Sequence, residues 1–216
     1  MKSIFSWAVL LASVLLTACS GDSSLPASNA TLTTKPGVGL ASSFSVSGDP
    51  AGNFGESFVG PDGNGFIVVS PTDNQPAQAL YRISNETTQR VPGGLSSPVS
   101  FDATSTAPIQ TTPITLAQIV GTYTIVIDGV PTDFQIAHDG TVSTPTSACK
   151  LRGGLGVPTG IVGTVPFAFT MSGCTKSGAF NGYLISATDY KPSSFRLVAE
   201  NGTSIIDAFA YKDVTP

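Results

Sequence analysis

Short runs of apolar, aromatic and β-branched residues, each closed by a Gly, Pro, Asp or Asn turn, recur along most of this chain and restrict it to β structure. Phe54–Val59, Gly65–Ser70 and Ala79–Ser84 read as strands, with Gly60-Pro61-Asp62-Gly63 turning between the first two. Thr122–Ile127, Asp133–Ala137, Val165–Ser172, Phe180–Ala187, Ser194–Ala199 and Ser204–Tyr211 follow, with turns at Asp128-Gly129, His138-Asp139-Gly140 and Glu200-Asn201-Gly202. In Val165–Ser172 the alternation puts Phe167, Phe169 and Met171 on one face. Beyond the N-terminal apolar segment, only Ile114–Ile119 has the pattern for a turn of helix. About eight to ten strands at roughly 8–12-residue spacing predict an all-β antiparallel meander. Closure into a small barrel removes the exposed edges such a chain would otherwise carry; a β-sandwich is the alternative.

Charge narrows the partners. Charged residues make up only 11% of the 216, and the net charge is −4. A diffuse acidic balance gives no attraction to phosphate backbones, so nucleic acid is not an expected partner. Hydrophobic content of 41% is too high for a disordered chain.

The N-terminus is of a different kind. Met1-Lys2 is followed by an apolar run, Ile4–Leu16. That run is shorter than the about 20 residues a bilayer-spanning helix needs, and has the length of a signal-peptide core. It ends in Leu16-Thr17-Ala18-Cys19, which resembles the lipobox of bacterial lipoproteins. The resemblance implies cleavage after Ala18 and acylation of Cys19, with palmitate among the acyl chains. Two or more such chains hold a protein firmly in a membrane. Ser20 in place of Asp implies sorting to the outer membrane, on the periplasmic or the outer face.

The expected organisation is a signal peptide at 1–18, a lipidated tether at 19–45, an N-terminal β segment at 46–101, a Ser/Thr/Pro-rich linker at 102–113 and a C-terminal β segment at 114–216. The two β segments are expected to share one barrel. With Cys19 committed to lipid, Cys149 and Cys174 form an even pair, which predicts one disulfide in an oxidising compartment. One His and two distant cysteines do not make a metal site of familiar spacing, and no cofactor is expected.

His138 sits in a turn, Asp62-Gly63-Asn64-Gly65 begins like a calcium loop but continues with Phe66, and the acidic residues form no recognisable acid–base pair. The Gly-rich stretch Arg152, Gly153, Gly154, Leu155, Gly156 and onward to Gly163 lacks the Gly-Lys-Ser/Thr of a phosphate loop and reads as a mobile loop between strands. The expectation is that the chain is not an enzyme.

Gly121-Thr122-Tyr123-Thr124, Ser172-Gly173-Cys174 and Asn181-Gly182-Tyr183 resemble features of a group of small proteobacterial outer-membrane β-barrel lipoproteins. That resemblance implies a fold type and a location. Gly55–Asp62 is similar to a barrel strand of transferrin-binding surface lipoproteins, with Phe58-Val59-Gly60-Pro61 where that family has Phe-Tyr-Gly-Pro. The expected role is that of a lipid-anchored binding or envelope-structural domain with a protein or envelope partner. The alternative is an inhibitor of a protease or lysozyme, acting through a Gly-rich loop at Arg152–Gly156 held by the Cys149–Cys174 bridge.

Overall fold

The computed structural model describes residues 28–29, 37, 39 and 41–213, apart from 74, 85, 86, 96, 97 and 159. The expected signal peptide, Cys19 and most of the expected tether lie outside the described residues.

The expected β architecture is present, as two units. Strands β8 (Gly121–Ile127), β9 (Val130–Ile136), β10 (Thr141–Ser143), β11 (Lys150–Leu155), β12 (Thr164–Ser172), β13 (Gly178–Ile185), β14 (Phe195–Glu200) and β15 (Ile205–Lys212) form a closed antiparallel barrel. Each strand pairs with its sequence neighbour, and β15 returns to β8 through Tyr211–Thr124 and Lys212–Tyr123. Helix α1 (Leu116–Ile119) precedes β8 and contributes Ile119 to the barrel core; Thr115 and Gln118 form its capping box.

Alternation decides which side is inside. Phe167, Phe169 and Met171 of β12 point inward as expected, with Tyr123, Phe134, Phe180, Phe195 and Leu197. Rings pack at 4.5 Å (Phe167–Phe169), 5.6 Å (Phe169–Phe180) and 4.7 Å (Tyr123–Phe195). This interior is filled by side chains, as eight strands allow. Gln135, Lys150, Arg152, Thr170 and Ser172 are exposed on the wall. Apolar inside and polar outside is the reverse of a barrel that spans a bilayer.

The N-terminal strands do not enter this barrel. Strands β1 (Ser28–Asn29), β2 (Ala41–Ser47), β3 (Phe54–Val59), β4 (Gly65–Ser70), β5 (Ala79–Ser84), β6 (Thr87–Val91) and β7 (Ser100–Pro108) form a separate curled sheet in the order β1-β6-β5-β4-β3-β2-β7. The strand at Gly55–Val59, similar in sequence to a barrel strand, therefore lies in an open sheet. Two further expectations are corrected. The tether ends earlier than residue 45, because β2 begins at Ala41. Much of the expected linker is strand β7, paired with β2 across a register shift between Ser43 and Ser45. Its Ser/Thr-rich sequence suits an edge strand that is exposed over most of its length. At the irregularity Asp102 accepts bonds from the Thr104 amide (2.8 Å) and hydroxyl (2.7 Å), and the Ser45 amide donates to Ser105 Oγ (2.9 Å). Such a bulge blunts an edge against further strand pairing.

Both faces of the curled sheet are covered, which explains why Gly65-Phe66-Ile67-Val68-Val69 is apolar without alternation. Phe44, Val46, Ile67, Val69, Tyr81 and Phe101 fill its concave side. There Asp49 makes a buried ion pair with Arg90 (2.7 Å) and also accepts from the Tyr81 hydroxyl and the Ala51 amide (2.8 Å). Phe58, Phe66, Val68 and Leu80 of the other face pack on Ile185, Val198 and Ile205 of the barrel wall.

Candidate functional site

The seam between sheet and barrel gathers charges that are far apart in the chain. The outer face of β14 reads Arg196, Val198, Glu200. Val198 is apolar and fully buried, and a charge on either side of it reaches the sheet. Arg196 pairs with Glu56 on β3 through Nη1 and grips Asp207 on β15 with Nε and Nη2, both at 2.7 Å. Asp207 Oδ2 also accepts the Ala77 amide at 2.6 Å, and the Tyr190 hydroxyl lies 3.1 Å from Glu56 Oε1. Burial opposes the charge on Arg196, but Asp207 and Glu56 outweigh it and hold the guanidinium protonated well above its ordinary range. Glu200 pairs with Arg82 on β5 at 2.9 Å. The two pins run in opposite directions: acid on the sheet to base on the barrel, then base on the sheet to acid on the barrel. That complementarity fixes how one unit sits on the other.

Beside the second pin the seam opens into a groove of about 510 Å³. Its floor is the end of a column of rings. Phe58 stacks on Phe66 (5.1 Å between centroids, 22° between planes), and Phe66 stacks on Tyr183 (4.5 Å, 14°). Tyr183 is the last ring and half-buried; burial, and then the charge of Asp62, raise its hydroxyl pKa. Arg82, Ser84, Asn181 and Glu200 line the walls. The Arg82 amino groups bond Glu200 and Gln89, while its buried Nε has no hydrogen-bond partner. Its side chain remains 42% exposed. An aromatic floor with a few fixed polar groups is the usual make-up of a small-molecule site.

The residues singled out in the sequence are placed elsewhere. Cys149 and Cys174 are bonded, S–S 2.07 Å. Arg152, Gly153, Gly154 and Leu155 are not a mobile loop: they belong to β11, with Val142 opposite Gly153 on one side and Phe169 opposite it on the other. The barrel needs glycine at 153, since a Cβ there would lie 2.1 Å from the Ala168 carbonyl oxygen. Gly156 follows the strand and donates its amide to Pro166 at 2.7 Å. The disulfide ties the opposite end of the β11–β12 hairpin, with Lys150–Ser172 next to it and Leu155–Phe167 at the loop end. Five steps of strand, about 17 Å, separate bridge from loop. The bridge therefore does not hold the Gly-rich connection directly, which removes the reason for choosing it as an inhibitory loop. His138 is exposed in its turn, and both carboxylate oxygens of Asp62 are engaged by Asn64.

Glu56, Arg82, Tyr183, Arg196 and Glu200 were not singled out as site residues by sequence; Tyr183 entered only through the Asn181-Gly182-Tyr183 resemblance and Glu200 only as part of a turn. The signal was there in part: Arg196 and Glu200 stand on one face of an otherwise apolar strand, as does Glu56 in β3. A charge in mid-strand among buried neighbours marks an outer face that something covers.

No family model matches the chain, and no curated protein or solved structure matches it.

Proposed function

We propose that the chain is a lipid-anchored envelope protein, held at the outer membrane through Cys19, whose β body binds an envelope component in the groove at the seam. The lipobox-like Leu16–Cys19 supports the anchor. The observation that carries the binding role is the groove itself: a stack ending in half-buried Tyr183, beside an Arg82 clamped at both amino groups and still 42% exposed. A guanidinium held in place before a ligand arrives loses little freedom on binding. The seam pins join the two walls of the groove.

Two measurements test this reading. Cys19→Ala should move the protein from the membrane pellet to the soluble fraction and abolish labelling by radioactive palmitate; a pellet-bound, labelled variant refutes the anchor. The purified Cys19→Ala chain should sediment with washed cell envelopes, and Tyr183→Ala in that background should weaken the association. Sedimentation indifferent to Tyr183 refutes the groove.

A further inference from the structure

Resting on that reading, we infer that the seam groove takes a saccharide, with one sugar ring stacked on Tyr183. A hexose ring has a face of C–H bonds and a rim of hydroxyls. It asks for an aromatic plane below and mixed donors and acceptors around. The groove supplies both. The Phe58–Phe66–Tyr183 column fixes the plane, because each ring is backed by the next and the first is buried in the sheet.

The rim chemistry selects among ligands. Asn181, exposed at the groove, has both a donor and an acceptor. Ser84 adds a hydroxyl. Arg82 offers only donors, and five of them; two of its nitrogens are engaged and Nε is not. Each amino group of Arg82 carries a second N–H beyond the one given to Glu200 or Gln89, and the side chain is 42% exposed, so a ligand oxygen can be met without moving the guanidinium. Glu200 is an acceptor paired with Arg82, so this wall of the groove carries both signs of charge. A purely apolar ligand would strip water from Arg82 and Asn181 without replacing it. A neutral glycan meets every one of these conditions.

The test titrates the full chain carrying Cys19→Ala with chitotriose, cellotriose and maltotriose, read by calorimetry and by saturation transfer to the sugar protons. Binding of at least one trisaccharide is expected, with saturation strongest on the C–H face of one ring. Tyr183→Ala should weaken it by about tenfold and Tyr183→Phe should retain it, as stacking is worth up to about 1.5 kcal/mol. Asn181→Ala, at an exposed position that leaves the core intact, should also weaken it. No binding of any of the three at about 10 mM, a concentration at which even a weak site would show, overturns the inference. Binding unchanged in both Tyr183→Ala and Asn181→Ala overturns it too. If the sugars fail while Tyr183-dependent sedimentation with envelopes persists, the saccharide is refuted and the groove's binding role stands; if both fail, both fall.

Discussion

Arg196, on the barrel wall, is ion-paired with Glu56, on the curled sheet, and both side chains are almost wholly shielded from solvent. Arg196 also neutralises Asp207, so one cation serves two carboxylates. Arg196→Met would strand both. Removing one partner of a buried ion pair typically costs about 3–5 kcal/mol, and a loss in that range is expected here. Urea unfolding checks it: the midpoint should fall with the slope unchanged. Glu56→Gln should cost less, because Arg196 keeps its two bonds to Asp207.

Asp49 governs the acid limb of stability. Burial would raise its carboxyl, but the Arg90 guanidinium, the Tyr81 hydroxyl and the Ala51 amide outweigh burial and leave it below the ordinary 3.8. A depressed pKa stabilises the fold above the unfolded value and ceases to do so as pH falls through the folded one. Melting temperature should therefore drop as pH goes below 3.8. Asp49→Asn should be less stable at neutral pH and show a shallower acid decline.

Tyr123 governs part of the alkaline limb. Burial pushes its hydroxyl from 10.0 up to about 12. The neutral form is the one the fold holds, donating to the Ile119 carbonyl at 2.8 Å. This contribution is complete below pH 10 and is lost between there and about pH 12. Tyr123→Phe should flatten the decline of melting temperature over that interval.

The Cys149–Cys174 bridge closes a separation of 25 residues. The chain-entropy treatment gives about 3.5 kcal/mol for such a loop. Cys149→Ser/Cys174→Ser should lower stability by roughly that amount, in chemical denaturation followed by tyrosine absorbance. Because the bridge and the seam groove lie on different parts of the barrel, envelope sedimentation at low temperature should be unchanged.

Gly153→Ala separates a strand from a loop. In a mobile loop the change would be neutral or mildly stabilising. In β11 the new methyl would meet the Ala168 carbonyl, and a loss of about 1–3 kcal/mol is expected from overpacking. Thermal unfolding by circular dichroism decides between them.

Local pattern made much of this fold legible. Phe54–Val59, Gly65–Ser70 and Ala79–Ser84 end where the sequence runs end, because aromatic and β-branched residues meet Gly, Pro and Asp punctuation there. The cysteine pairing followed from counting. Strand β7 was hidden because Ser and Thr on a solvent-facing edge look like linker, while Phe101 buries itself on the concave face. The Gly-rich β11 was hidden because glycine there answers to a neighbouring strand's backbone, not to a turn. The groove was least legible. Tyr183 and Phe66 stand far apart in sequence, and nothing local in either shows that their rings will stack.

Closure of the barrel has a consequence for how the chain is made. Seven of its eight strand pairings join sequence neighbours and can form as the chain appears. The eighth waits for the far end: Tyr211 and Lys212 must return to Thr124 and Tyr123, where the Asp213 amide bonds the Thr122 carbonyl at 3.0 Å and Lys212 Nζ reaches the Val120 carbonyl at 2.9 Å. A polypeptide emerging N-terminus first therefore carries two bare barrel edges until β15 arrives. Loss of β15 would also remove Asp207 from Arg196, so a chain ended before β15 loses barrel closure and part of the charge network at the seam together.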